Sequence, residues 1–126
     1  MGHSVEDLAF LPRNFLRPCL LLVVRERPSH GYDLLVRLED LGFRRVDPGR
    51  LYRTLRAMEQ EGLVRSTWET SASGPARRTY RLTAEGTDWL HAWAAGVEEA
   101  GRMIDRFLGR YAALVERAPA KGSIIG

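Results

Sequence analysis

The clearest hydrophobic pattern in the chain lies in the stretch DPGRLYRTLRAMEQEGLV, residues 47–64. Leu51, Leu55 and Met58 recur at i, i+4 and i+7, which predicts a helix with one buried face. Three residues mark the ends of this helix. Asp47 is a typical N-cap, Pro48 suits the first helical position, and Gly62 suits the left-handed residue after the end. The pattern therefore predicts one short helix with a marked start and a marked end.

The opposite face of this helix carries groups that can contact nucleic acid. At about 100° per residue, the following side chains fall away from the buried stripe: Arg50, Arg53, Arg56, Ala57 and Gln60. Arginine forks match phosphates and guanine edges, glutamine pairs with adenine, and alanine permits close approach. An ordinary solvated basic face has the same composition, so the helix alone leaves both interpretations open.

Two helices are predicted before this one. The first runs from Asn14, as N-cap, to about Glu26 and is apolar almost all round; its Cys19 is expected to be a small buried hydrophobe, with a redox role as the alternative. Ser29 is expected to cap the second helix, which Gly42 ends. Its predicted buried stripe is Tyr32, Leu35, Leu38 and Leu41. A five-residue link, 43–47, completes a predicted helix-turn-helix.

A basic β-hairpin is predicted directly after the helix-turn-helix. Residues 64–69 and 79–82 favour strands, and the small and turn-forming residues 71–76 favour a loop. Arg77 and Arg78 stand at the base of the second strand, and Arg81 follows. A pair of arginines is often only solubilising surface, but in this position it indicates a wing whose arginines contact phosphates or the minor groove.

The last predicted element is a long helix from Thr83, as N-cap, to Arg117. Its apolar residues recur at spacings of three or four: Trp89, Trp93, Val97, Ala100, Ile104, Phe107, Tyr111 and Leu114. A small winged domain cannot bury so long a stripe, so we expect it to pair with a second subunit as in a coiled coil.

The same helix leaves an effector hypothesis open. Trp89 and Trp93 lie one turn apart and could sandwich a flat apolar effector at a dimer centre, or simply pack in a core. Arg102, Arg106 and Arg110 form a row that could bind an anionic effector. The alternative for this row is a solvated face paired with acids of the same helix.

Composition and charge narrow the function classes. The 126 residues suit one domain, and the net charge of +3 divides into +5 over residues 42–82 and −2 over the remainder. Of the 19 basic residues 18 are Arg, which is typical of a GC-rich bacterial source. No apolar run reaches about 18 residues, the start lacks a basic leader, and the single cysteine fits a reducing cytoplasm. We therefore expect a cytoplasmic protein without a membrane segment.

Enzymatic function classes are disfavoured. The histidines His3, His30 and His91 are scattered, without a carboxylate or cysteine at metal-ligand spacing. The sequence contains no glycine-rich phosphate loop after a strand and no nucleophile elbow. We expect no enzyme activity, no cofactor and no metal.

These elements predict a mainly α fold with a small β-hairpin, a winged helix-turn-helix followed by a long C-terminal dimerisation helix. The predicted boundaries are an extension over 1–13, a DNA-binding domain over 14–82, a dimerisation helix over 83–117 and a disordered tail over 118–126. The extension carries a short apolar segment that is either a brief helix packed on a partner or on the last helix, or a frayed tail.

Three stretches in this order resemble the PadR family of bacterial winged-helix transcriptional regulators: HGYDLL from His30, PGRLYRTLRAMEQEGLV from Pro48, and GPARRTYRLTAEG from Gly74. The resemblance implies a homodimeric DNA-binding protein, usually a repressor, whose last helix swaps onto its partner. It also implies operator contacts around Tyr52 and Arg53 and a wing from Gly74 to Arg78. Tyr52 lies at the edge of the buried stripe, so a phosphate contact and packing on the wing are both open.

The expected function is sequence-specific binding of double-stranded DNA by a homodimeric repressor on a palindromic operator, with release by a small-molecule effector. The expected DNA-binding residues are His30, Arg50, Tyr52, Arg53, Thr54, Arg56, Ala57, Gln60, Gly74, Arg77 and Arg78. The alternative is a winged helix used for protein–protein assembly without specific DNA binding. The two functions are distinguished by whether DNA binding requires the arginines on the helix and on the wing.

Overall fold

The computed structural model describes residues 14–71 and 74–117, with four helices and three strands. In chain order they are α1 (Leu16–Glu26), β1 (Ser29–His30), α2 (Gly31–Leu41), α3 (Pro48–Gln60), β2 (Val64–Ser71), β3 (Gly74–Leu82) and α4 (Ala84–Arg117). This is the expected winged helix-turn-helix with a small sheet and a long last helix. The predicted N-terminal extension and C-terminal tail lie outside the described residues.

A single hydrophobic core joins the first three helices to the sheet. Its side chains come from one face of each element, and the fully buried ones include Leu16, Leu20, Leu21, Val24, Leu34, Leu38, Leu51, Leu55, Met58 and Val64. Cys19 is buried in the same cluster, as predicted. Burial of these side chains removes apolar surface from water, which is the main force that holds α3 in place.

The start of α1 differs from the prediction. Asn14 does not cap the helix: it has a left-handed φ of 58°, and Phe15 occupies the N-cap position without a side-chain cap. The backbone carbonyl of Asn14 accepts a hydrogen bond from Arg17 N at 3.1 Å. Asparagine tolerates the left-handed region better than most residues, so Asn14 shapes the entry turn through its backbone conformation. The end of α1 at Glu26 is confirmed.

The predicted cap of α2 was wrong, and its predicted buried stripe was right only in part: Leu38 is buried and Leu35 half-buried, but Tyr32 and Leu41 are exposed. Ser29 lies in β1, which the sequence did not predict, and its backbone pairs with Tyr80 of β3, while His30 is the N-cap residue. The buried residues of α2 are Gly31, Leu34 and Leu38, whereas Tyr32 is 71% exposed. Leucines at 34, 35, 38 and 41 fit two neighbouring stripes equally well, and the pairing of β1 with β3 fixes which of the two faces the core.

The Ser29 hydroxyl is nevertheless linked to α2, through the side chains of Arg37 and Asp33. It accepts a hydrogen bond from Arg37 Nη1 at 2.6 Å. A hydrogen bond with Ser29 is also the main cause that holds the pKa of Asp33 below its usual value, and the nearby Arg27 and Arg37 act in the same direction. β1 is therefore joined to α2 by a small polar network.

The sheet is antiparallel with the strand order β1–β3–β2. Both hairpin strands are longer than predicted: β2 continues to Ser71, and β3 begins at Gly74, five residues before the expected start. The predicted six-residue loop was therefore too long, because backbone pairing continues through small residues with low strand propensity. The register departs from regular pairing between Glu69 and Ser71.

The start of α4 agrees with the prediction. Thr83 Oγ1 accepts a hydrogen bond from Gly86 N at 2.9 Å, which is the expected N-cap geometry. Gly86 is buried, and a Cβ atom built on it would lie 2.1 Å from the backbone oxygen of Leu63. The absence of a side chain at Gly86 therefore lets the first turn of α4 pack directly on the chain that follows α3.

The chain divides into two compact units after His91. The first contains the core, and Trp89 and Leu90 of α4 pack against that core. The second contains the rest of α4, whose large apolar side chains are exposed in the single chain: Val97, Met103, Ile104, Phe107, Leu108, Tyr111, Leu114 and Val115.

Replacement of Gly86 by alanine should lower the free energy of unfolding by roughly 1–3 kcal/mol, because the new methyl group meets the backbone of Leu63. Urea unfolding followed by circular dichroism measures the change. Gly109→Ala is the matched control: it lies in the same helix with open space around it, so it should be neutral or stabilise the protein by up to about 1 kcal/mol. Equal stability of the two variants would contradict the close approach at Gly86.

Candidate nucleic-acid interface

Helix α3 is fixed at both ends and along one face, as predicted. Asp47 Oδ2 accepts a hydrogen bond from Arg50 N at 3.0 Å, and Pro48 occupies the first turn. After the helix, Gly62 adopts a φ of 83°, and Leu63 N returns to the carbonyl of Met58. Since Leu51, Leu55 and Met58 are buried, the opposite face is left to solvent.

The predicted polar face of α3 divides into exposed and half-buried residues. Tyr52, Arg53, Arg56 and Gln60 are exposed, whereas Arg50, Thr54 and Ala57 are half-buried. The Thr54 hydroxyl donates to the carbonyl of Arg50 at 2.8 Å, so it is directed back to the helix. Within residues 14–71 and 74–117 no carboxylate pairs with Arg53 or Arg56. These two guanidiniums are therefore available to an external anion.

The β2–β3 hairpin, called the wing below, stands beside this face and carries Arg77 and Arg78. Arg77 Nη1 lies 3.1 Å from His30 Nε2 of β1, which is within hydrogen-bond distance. The guanidinium of Arg78 lies over the ring of Trp68, 5.1 Å from its centroid. Gly74, expected in the loop, pairs with Ser71 at the first position of β3. The two arginines are thus held by different partners.

Between α3 and the wing lies a groove of about 550 Å³, called the α3–wing groove below. Its walls combine arginines with aromatic side chains: Arg56, Arg77, Arg78, Tyr32, Tyr52, Trp68 and Tyr80, with His30, Gly31, Glu59 and Ala76. Burial raises the pKa of Tyr80. The arrangement offers positive charge on two walls together with tyrosine hydroxyls, which suits a phosphate backbone.

One carboxylate, not predicted as a site residue, fixes the spacing between α3 and the wing. Glu59 Oε2 accepts hydrogen bonds from Ser66 N at 3.2 Å and from Ser66 Oγ at 2.8 Å. Because Glu59 lies in α3 and Ser66 in β2, this bridge ties the two walls of the groove together. No local sequence signal distinguishes Glu59 from an exposed helix acid, since its partner is seven residues away in another element.

Gly31 explains how Tyr52 reaches the groove. A Cβ atom at Gly31 would lie 2.1 Å from the Tyr52 hydroxyl oxygen, so the phenol ring occupies the space that a side chain would fill. Tyr52 is thereby placed between the start of α2 and the exposed face of α3. Its hydroxyl packs on α2 rather than on the wing, although the ring also lines the α3–wing groove.

The residues expected at a dimer contact occupy two environments. Trp89 packs on the core, where Arg17 lies 5.9 Å from its ring centroid, and Trp93 is half-buried. The predicted stripe beyond them is exposed in the single chain: Val97, Ala100, Ile104, Phe107, Tyr111 and Leu114. Phe107 and Tyr111 stack on each other with ring centroids 6.4 Å apart.

The three arginines expected at an effector site also have different surroundings. Arg102 is paired with Glu98 at 3.7 Å and Glu99 at 2.8 Å, which agrees with a solvated face. Arg106 and Arg110 line a shallow groove along α4 together with Met103, Phe107, Tyr111 and Leu114. In the single chain, therefore, only the second half of the row lines this groove beside apolar side chains.

In the part of the chain that the structure describes, no group of three or more His, Cys, Asp or Glu side chains is placed to hold a metal ion. None of the helices within that part is both long enough and apolar enough to span a membrane.

Comparison with known proteins gives a consistent result. The model of the transcriptional regulator PadR-like family matches residues 20–92. The transcriptional regulator Rv3488 of Mycobacterium tuberculosis is 39% identical over 75 residues, which are 60% of this chain and 68% of that protein. A crystal structure of a PadR-like transcriptional regulator from Bacillus cereus is 28% identical, with a TM-score of 0.69 over 74% of this chain and 90% of that one.

One similar structure contains DNA. The crystal structure of Bacillus subtilis PadR in complex with operator DNA is 25% identical, with a TM-score of 0.58. The match covers 63% of this chain and 46% of the Bacillus subtilis chain.

The Asp47 cap should be needed for the stability of α3. Asp47→Ala removes the acceptor of Arg50 N and should lower the free energy of unfolding by roughly 0.5–2 kcal/mol. Asp47→Asn keeps a capping oxygen and should lose much less. Thermal and urea unfolding of the two variants measure the difference; equal losses would mean that the charge of Asp47, and not its cap, is what matters.

Proposed function

Because the chain belongs to the PadR-like family of transcriptional regulators, we propose that it binds double-stranded operator DNA through α3 and the wing. The observation that carries the proposal is the α3–wing groove, which has Arg56 on one wall and Arg77 and Arg78 on the other. The operator complex of Bacillus subtilis PadR supports it by similarity.

In the proposed complex, the exposed face of α3 enters the major groove. Arg53, Arg56 and Gln60 are exposed on this face and supply donors for base edges and phosphates. Half-buried Arg50, Thr54 and Ala57 border it; the small side chain of Ala57 permits close approach, and the Arg50 guanidinium is a further donor for phosphates. Arg77 and Arg78 contact the sugar–phosphate backbone or the minor groove, with Gly74 and His30 supporting the wing.

We further propose that the protein acts as a homodimer through α4. The large apolar side chains from Val97 to Leu114 are exposed in the single chain, and their spacings of three and four suit pairing with the same helix of a second subunit. A twofold dimer would place two α3 helices on half-sites about one helical turn apart, so the operator would be palindromic. Occupancy of the operator in the cytoplasm would block transcription.

Release of the operator by a small-molecule effector completes the proposal. An effector that binds near α4 would change the separation of the two α3 helices. Half-buried Trp93 and the groove beside Arg106 and Arg110 are the candidate contacts. The pairing of Arg102 with two acids makes Arg102 the least suited of the predicted effector residues.

The central test is fluorescence anisotropy with the DNA upstream of the protein's own gene, at several salt concentrations and with scrambled duplex as competitor. Steeply salt-dependent binding that survives the competitor is expected, since phosphate contacts release counterions. Complete absence of DNA binding would favour the alternative of a protein-assembly module.

Arg53→Ala should weaken binding to the specific operator by roughly 1–3 kcal/mol if Arg53 contacts a base edge, with a smaller loss on scrambled DNA. Arg102→Ala is the matched control, because the guanidinium of Arg102 is already paired with acids on α4. Equal affinities of the two variants would remove Arg53 from the DNA surface.

Phe107→Glu should convert the dimer to monomers in multi-angle light scattering, because it places a charge in the middle of the apolar stripe. Ala113→Glu is the control: it adds the same carboxylate at an exposed position of the same helix, on the face opposite the stripe. An intact Phe107→Glu dimer would overturn pairing through α4.

A further inference from the structure

Trp68 is a large apolar residue in an unusual position. It lies in β2 and is 65% exposed, outside the buried core cluster. Side chains alternate between the faces of a strand, so Trp68 shares a face with buried Val64, and its cross-strand neighbour Arg78 shares a face with buried Tyr80. The pair therefore continues the core-facing side of the wing beyond the edge of the core, where α3 no longer covers it.

At this position the Trp68 ring contacts a cation. The guanidinium carbon of Arg78 lies 5.1 Å from the ring centroid, within the range of a cation–π interaction. Trp68 and Arg78 are direct partners in the β2–β3 register, so the backbone of both strands sets their separation. The register therefore places the ring and the guanidinium side by side on one face of the hairpin.

A ring contact suits an arginine that must also bind a second group. The face of an indole attracts the positive charge without accepting the conventional hydrogen bonds of the guanidinium, whose edges keep N–H donors for phosphate oxygens. A carboxylate partner would occupy those donors and cancel the charge. The contact also limits the rotamers of a flexible side chain before binding, which reduces the entropy lost when DNA binds.

The ring and the guanidinium both line the α3–wing groove, opposite Arg56. Arg77 is held separately, by His30 of β1. The two adjacent arginines of the wing therefore have independent supports, one on each neighbouring strand of β3.

We propose that Trp68 is a positioning residue for DNA binding, which holds the Arg78 guanidinium over the α3–wing groove so that it meets a backbone phosphate. This inference rests on the proposed DNA-binding function. It concerns a residue that contributes through Arg78 and reads no base itself, so its effect should be the same on operator and scrambled DNA.

A double-mutant cycle measured by fluorescence anisotropy tests the proposal. Trp68→Ala should weaken DNA binding roughly two- to fivefold on all sequences, the loss expected for one exposed cation–π contact. Arg78→Ala should weaken it further and lower the slope of log affinity against log salt by about 1. The double variant should bind no more weakly than Arg78→Ala alone, because Trp68 has nothing left to position. Losses that multiply in the double variant would overturn the proposal.

Two conservative variants separate positioning from hairpin stability. Trp68→Tyr keeps an aromatic face and should retain most of the affinity, whereas Trp68→Ile keeps strand propensity and apolar volume without a ring and should lose as much as Trp68→Ala. Full affinity of Trp68→Ile would overturn the role of the ring. Circular dichroism and thermal unfolding of each variant identify losses caused by unfolding.

The outcomes also separate this inference from the proposed function. Specific DNA binding by the wild-type chain with unchanged affinity in Trp68→Ala would overturn only the role of Trp68. Absence of DNA binding by the wild-type chain would overturn both.

Discussion

The burial of one face of α3 is the constraint on which the rest of the structure depends. Leu51, Leu55 and Met58 are fully buried in the core, where α3 packs against α2 and β2, and the Asp47 cap and the left-handed Gly62 fix where the helix begins and ends. When one face of a helix is buried in the core, the opposite face is exposed to solvent, so the exposure of Arg53 and Arg56 follows from core packing. The same burial determines the start of β2, because Val64 enters the core directly after the helix end.

The groove adds a second requirement, that the wing stand at a fixed distance from α3. Core contacts place only the base of the hairpin, through Val64 and Tyr80. Beyond the base, the Glu59–Ser66 bridge and the Trp68–Arg78 contact continue the connection on the side that faces α3. Polar and cation–π contacts replace hydrophobic packing where the wing leaves the core, and they leave the groove accessible to a charged ligand.

The sequence predicted features whose causes are local. The caps at Asp47 and Thr83 and the stripe of α3 depend on residues within one or two turns, so their pattern was sufficient. It did not predict β1, because two residues become a strand only by pairing with Tyr80 and Thr79 about fifty positions away. The same long-range pairing decided that Leu34, and not Tyr32, faces the core. Glu59 and Trp68 were missed as site residues for this reason too: their partners belong to other elements.

Helix α4 shows how one continuous pattern can serve two environments. The stripe from Trp89 to Leu114 has nearly constant spacing, yet Trp89 packs on the core of its own chain while Phe107 is exposed. Spacing alone cannot distinguish these cases, because it records that a face is apolar and not what covers it. The close approach of Gly86 to Leu63 explains what covers the first part of the stripe. It holds the first turn of α4 against the chain that follows α3, and Trp89 comes directly after that turn. For the part after His91, the large apolar side chains are exposed among the residues that the structure describes, and burial of this stripe against a second subunit is the physical argument for the proposed dimer.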